Sequence, residues 1–139
     1  ITLIPPWYES EEGLEKITDV LRKFNNFSPF EIHFTRICYG PNPSRPRLIW
    51  LEGRVAKEIL KLKDNLEKIL KKKPEARPFK THLTVARFRE ENFSSFPIKK
   101  FEEKVSWSEK ISSFLLMESR LSRQGAGYEV LLEVAFGQP

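Results

Sequence analysis

Arg77-Pro78-Phe79-Lys80-Thr81-His82-Leu83-Thr84-Val85-Ala86-Arg87 is the stretch on which the reading of this chain turns. From Thr81 to Phe88 it has the β-branched and aromatic content of a strand. Residues two apart in a strand point to one face. His82 and Thr84 therefore project side by side, while Leu83 and Val85 face the other way. An imidazole beside a hydroxyl suits phosphate chemistry, because imidazole exchanges a proton near neutral pH and a hydroxyl donates to a phosphate oxygen. Arg87, five residues past His82, takes the opposite parity.

The segments around this strand alternate between the two regular periods. Before it, Val55, Ile59, Leu62, Leu66, Ile69 and Leu70 form one apolar stripe, which predicts a helix over Arg54 to Lys72, and Pro74 bars its continuation. Phe30 to Tyr39 and Arg47 to Leu51 read as strands of a hairpin joined by the Pro-rich turn Gly40 to Pro46. Ile1 to Ile4 reads as a strand stopped by Pro5-Pro6. A helix is expected from Ser10, its N-cap, to Phe24, with Glu11 and Glu12 in the first turn and Asn25-Asn26 ending it. After His82, the polar stretch Arg89 to Ser95 leads to a short helix expected around Ile98 to Lys104. Ile111 to Leu121 and Tyr128 to Phe136 come next as two strands, with Gly125-Ala126-Gly127 as the turn between them and Val130, Leu132, Val134 and Phe136 alternating toward a core. The pattern is that of an α+β domain with largely antiparallel sheet.

At 139 residues the chain suits one domain with a sizeable core, and its 40% hydrophobic and 31% charged content is that of a globular protein rather than a disordered one. No apolar run approaches the length of a membrane span, about 18 residues, and no basic-then-apolar segment opens the chain. One cysteine, Cys38, excludes an internal disulfide. A cytoplasmic location without a membrane partner is the default expectation. The net charge of +5 is compatible with an anionic partner such as RNA, and equally with a solvated lysine-rich surface.

Only two histidines are present, and each begins a His-x-Thr tripeptide: His33-Phe34-Thr35 and His82-Leu83-Thr84. One such tripeptide is a weak signal, and a lone strand histidine is more often structural than catalytic. Thr2 and Thr84 have the same bland alternative, since threonine favours strands anyway. For Arg87 that alternative is a surface ion pair. Lys71-Lys72-Lys73 closes a helix, where cations suit the dipole. Trp7 and Tyr8 suit base stacking or packing equally. Two separated histidines and one cysteine make no recognisable metal-ligand set, and no Gly-rich phosphate loop is present, so neither metal nor cofactor is expected.

The flanks of His82 are more specific than the tripeptide. Arg77-Pro78-Phe79, then His82-Leu83-Thr84, then Ala86-Arg87, resembles the C-terminal motif of the 2H phosphoesterases, in the family of 2'-5' RNA ligases and RNA 2',3'-cyclic phosphodiesterases. Ile1-Thr2-Leu3-Ile4-Pro5-Pro6 is similar to the residues just after the histidine of the family's N-terminal motif, and 82 positions separate Thr2 from Thr84. Arg45-Pro46-Arg47-Leu48-Ile49-Trp50-Leu51 resembles its central strand. Leu116 to Leu121, Gly125 and Tyr128-Glu129-Val130 resemble its closing hairpin. The matches run in the family's order over nearly the whole chain. His33 has no such flank and is read as an ordinary strand residue.

The resemblance implies one domain over residues 1–139, built as two pseudo-symmetric lobes of mostly antiparallel sheet with helices outside and a central cleft. It implies metal-independent opening of an RNA 2',3'-cyclic phosphate, or of a cyclic nucleotide, to a 2'-phosphate, reversible as 2'-5' ligation. His82 is then the proton acceptor that activates water. Thr84 and Thr2 bind the phosphate, Arg87 assists them, and the histidine of the first motif protonates the leaving oxygen. That histidine would precede Ile1, and the family's opening strand and helix are not in the sequence. The resemblance thus implies a chain cut just after it, and weak or no turnover by these 139 residues alone. A non-catalytic RNA- or nucleotide-binding module on the same fold is the alternative. The residue before Ile1 discriminates the two, a histidine favouring the enzyme.

Overall fold

The computed structural model describes residues 1–24, 26–123 and 125–137, and it is α+β with antiparallel sheets. The chain divides into two compact units. The first holds Ile1, Glu31–Leu60 and Glu75–Glu109; the second holds Thr2–Phe30, Lys61–Pro74 and the residues from Lys110. Among the described residues no helix is long and apolar enough to cross a membrane.

The first unit is built on β1 (Phe30–Gly40), β2 (Leu48–Gly53), β3 (Thr81–Arg87) and β4 (Glu102–Ile111), side by side in the order β3-β2-β1-β4. β2 pairs antiparallel with both β1 and β3. Contacts from β1 to β4 run from Tyr39 to Phe101, from Arg36 to Glu102 and from His33 to Ser108, so these strands also run in opposite directions. One face carries Ile32, Phe34 and Tyr39, all buried. Phe34 stacks on Trp107 at 5.2 Å, and Tyr39 meets Phe93 of a short 3-10 helix, Glu90–Ser95, at 5.3 Å.

β4 replaces the short helix expected over Ile98 to Lys104. A seven-residue helix has little to offset the cost of its nucleus. Val105 and Trp107 instead suit a strand laid along the open edge of β1. The Arg89 to Ser95 stretch winds into the 3-10 helix.

The second unit contains α1 (Glu11–Arg22), most of α2 (Lys57–Ile69), and a hairpin of β5 (Ser113–Ser122) and β6 (Gly125–Ala135). Ser10 caps α1 as expected, its Oγ accepting from the Gly13 N–H at 3.0 Å. The last turn tightens through bonds from Lys23 N to Val20 O and from Phe24 N to Leu21 O, so the α-helix proper stops short of Phe24. The expected stop at Asn25-Asn26 falls partly on Asn25, outside the described residues. Phe24, Phe27, Phe114 and Phe136 form an aromatic cluster with Leu21 buried nearby in α1.

α2 is shorter than the expected Arg54 to Lys72. Lys71 adopts φ 53°, and the Lys72 N–H donates to Glu67 O while the Lys71 N–H donates to Lys68 O. These are the paired bonds of a Schellman motif, which satisfies the last carbonyls and ends the helix. Ile1 to Ile4 forms no strand; Leu3 and Ile4 sit in a bend, and no ladder includes them. β6 begins at Gly125, so Gly125-Ala126-Gly127 belongs to the strand rather than to the turn, Gly125 entering it at φ 127° opposite Ser122. Val134 and Phe136 are buried as expected, whereas Val130 is exposed.

Candidate active site

Cross-strand partners share a sheet face. In the pairing of β2 with β3, Glu52 lies opposite His82, Trp50 opposite Thr84, and Leu48 opposite Arg87. Glu52, Trp50 and Leu48 alternate without interruption along β2 and so share one face. The register on β3 slips between the partners of Ile49 and Trp50, which are Ala86 and Thr84. Val85 is the extra residue of a bulge. It shifts the parity of everything after it. Arg87 therefore emerges on the same face as His82 and Thr84, which simple alternation along the sequence forbids.

The His82 ring is half-buried and held at two places. Nδ1 lies 3.0 Å from the Lys80 carbonyl oxygen. A carbonyl only accepts, so Nδ1 carries the hydrogen and donates it. In the neutral ring Nε2 is then the nitrogen with a free lone pair. The ring also rests 4.6 Å from the Trp50 indole, tilted by 53°. Thr84 is half-buried, and Arg87 is exposed without an ion-pair partner among the described residues. His82 and Thr84 thus sit where the His-x-Thr alternation puts them.

Glu52, directly across from His82, turns its carboxylate to Arg36, whose Nη2 donates to Oε1 at 2.8 Å. The second arm of the guanidinium reaches Glu102 at 3.1 Å. Arg36 reaches this face through another register shift, between Phe34 and Arg36 on β1. The hydrogen bond to Glu52, followed by the charge of that carboxylate, raises the Arg36 pKa above the usual arginine value. Trp50, Glu52 and Arg36 were not singled out as site residues from the sequence. Their signal lies in the pairing of three strands, which no single segment displays.

His33 shares the face but is engaged elsewhere. Its Nδ1 and the Ser108 Oγ share a 2.6 Å hydrogen bond, and Nε2 stands 3.9 Å from the Glu31 carboxylate. Thr2 belongs to the second unit and is exposed. In the same unit Lys72 places its ammonium 4.2 Å from the centre of the Trp7 ring, whose Nε1–H donates to Glu9, while Tyr8 is fully exposed. Among the described residues no group of three or more His, Cys, Asp or Glu side chains is arranged to hold a metal ion.

The model of the 2'-5' RNA ligase superfamily matches residues 1–122. An RNA 2',3'-cyclic phosphodiesterase of Archaeoglobus fulgidus is 32% identical over 134 residues, covering 94% of this chain and 76% of that protein. The chain belongs to the 2'-5' RNA ligase superfamily. The likeness to 2H phosphoesterases drawn from Arg77 to Arg87 and its ordered neighbours is thereby borne out. A second superfamily relative, the RNA 2',3'-cyclic phosphodiesterase of Aeropyrum pernix, is 33% identical over 115 residues, 78% of this chain and 65% of that protein. The superfamily fold is seen again in E. coli LigT complexed with 3'-AMP, with a TM-score of 0.72 at 20% identity over 98% of this chain and 75% of that one. TT0787 of Thermus thermophilus gives 0.71 at 22% identity, over 92% of this chain and 72% of that one. At these identities the structural likeness is one of fold.

Proposed function

We propose that the protein opens RNA 2',3'-cyclic phosphates to 2'-phosphates without a metal, and that His82 is its general base. The observation that carries this reading is the Nδ1–H bond from His82 to the Lys80 carbonyl, which leaves Nε2 as the proton acceptor on a face shared with Thr84 and Arg87. Two of the curated relatives are RNA 2',3'-cyclic phosphodiesterases, which favours this chemistry over simple binding.

In the proposed step Nε2 takes a proton from water as the water oxygen bonds to phosphorus. The bond from phosphorus to the 3'-oxygen breaks, and that oxygen leaves with a proton from a general acid, a role that the family resemblance gives to the histidine of the first motif. The phosphate remains on the 2'-oxygen. Thr84, through its hydroxyl, and Arg87, whose guanidinium has no ion-pair partner among the described residues, stabilise the charge that builds on the non-bridging oxygens. Thr2 is the second phosphate-binding hydroxyl that the family resemblance implies. The Arg36 guanidinium offsets the Glu52 carboxylate, which would otherwise repel an incoming phosphate. A base placed in this way is typically worth about 10² to 10⁴ in rate. With a 5'-hydroxyl in place of water as the nucleophile, the same ring opening joins RNA ends through a 2'-5' bond, and its reversal cleaves that bond back to the cyclic phosphate.

The test is hydrolysis of a 2',3'-cyclic nucleotide by the whole protein in excess chelator, with the products separated chromatographically. The 2'-phosphate isomer is expected. Exclusive formation of the 3'-phosphate, or a requirement for added metal, overturns the reading.

A further inference from the structure

We infer that Trp50 is a positioning residue for the His82 imidazole, its indole plane bracing a ring that a single hydrogen bond otherwise holds alone. This rests on the reading of His82 as the base. The bond from Nδ1 to the Lys80 carbonyl anchors the imidazole at one atom. The ring is carried on the Cα–Cβ and Cβ–Cγ bonds, turning about either of them displaces the ring, and a single hydrogen bond resists both turns. The second constraint is the indole of Trp50, 4.6 Å away centre to centre.

A plane positions a neighbour only if it is itself fixed. Trp50 is 6% exposed, and its Nε1–H donates to the Cys38 Sγ at 3.2 Å. The indole also lies directly over Gly40. A Cβ at position 40 would stand 2.3 Å from Cε2 and 2.6 Å from Cζ2 of the indole, so the missing side chain is what lets the ring lie flat there. Lys80 completes the arrangement, its carbonyl holding Nδ1 while its ammonium stands 5.9 Å from the indole centre. The burial of Trp50 argues against stacking on a base, which needs an open ring face.

The two roles separate in kinetics and in spectra. Trp50→Leu removes the plane. In the whole protein it is expected to lower kcat on a 2',3'-cyclic nucleotide about tenfold, with KM within about twofold, because a misplaced base weakens the step and not the binding. Trp50→Phe restores a plane and is expected to recover most of kcat. In ¹⁵N spectra of the imidazole, the unaltered protein shows hydrogen on Nδ1, and Trp50→Leu shows a rising share on Nε2. An unchanged ring spectrum, an unchanged kcat, or a loss expressed in KM overturns the inference. Should Trp50→Leu fail to fold, cross-relaxation between the Trp50 and His82 ring protons of the unaltered protein decides: its presence supports the contact and its absence overturns it. If the ring contact and tautomer are found while the unaltered protein opens no cyclic phosphate, positioning stands and the functional reading falls.

Discussion

His33-Phe34-Thr35 on β1 and His82-Leu83-Thr84 on β3 present their imidazoles to the same face of one sheet, with β2 between them. Each is accompanied by a bulge, but at a different point. On β3 the extra residue comes after the threonine, so His82 and Thr84 keep their alternation and Arg87 is turned onto the face. On β1 the shift falls at Thr35 itself, whose Oγ1 donates at 3.5 Å to the Glu52 carbonyl, and it turns Arg36 onto the face instead. Arg36 is bound by two carboxylates, whereas Arg87 has no ion-pair partner among the described residues. His33 is occupied by Ser108, whereas the His82 Nε2 has no partner among the described residues. The same tripeptide thus yields a braced patch of sheet in one place and a candidate catalytic edge in the other, and the position of one inserted residue separates them.

Substituting equivalent residues on the two strands sharpens this contrast. The largest of these effects is expected at the threonines. Thr84→Val should lower kcat/KM for a 2',3'-cyclic nucleotide by about 10 to 10², as for loss of one donor to a developing oxyanion, with Thr35→Val within about twofold of the unaltered protein. Comparable losses at both positions would erase the distinction. Arg87→Met is next, expected to lower kcat/KM about tenfold with no change in the unfolding midpoint. Arg36→Met should cost about 1 kcal/mol or less of stability in denaturant unfolding, the scale of partly exposed ion pairs, and raise KM rather than lower kcat, since it leaves the Glu52 carboxylate uncompensated. The smallest effect concerns the residue just before His82. Thr81 is fully buried and its hydroxyl has no hydrogen-bond partner among the described residues. Thr81→Val should therefore stabilise the protein by about 1 kcal/mol, seen as a higher midpoint at unchanged slope. Destabilisation would reveal a partner for that hydroxyl.

Much of this was legible in the sequence. Leu62 and Leu66 keep helical spacing in α2, Ser10 announces the start of α1, and the run from Thr81 has the composition of a strand, so these elements are where their patterns put them. β4 was hidden because its side chains are almost all polar and exposed. Only Val105 and Trp107 hint at a strand, and its place is decided by the open edge of β1, which is distant in sequence. Within the site, the resemblance of the flanks singled out His82 and Thr84, and both fell on one face by period two. Arg87 did not, because parity counting assumes a ladder without insertions, and Val85 carries no side-chain signature of a bulge. Trp50 and Glu52 were equally out of reach, since what they face is set by the registers of two strand pairs.

The two histidines provide the most direct trial. His82→Ala and His33→Ala, made separately in the whole protein, are compared by kcat/KM for a 2',3'-cyclic nucleotide in excess chelator, with circular dichroism confirming the fold. The account predicts a loss of at least about 10² for His82→Ala, the lower end for a general base, and a change of no more than about twofold for His33→Ala. Full activity in His82→Ala, or its abolition in His33→Ala, would contradict it.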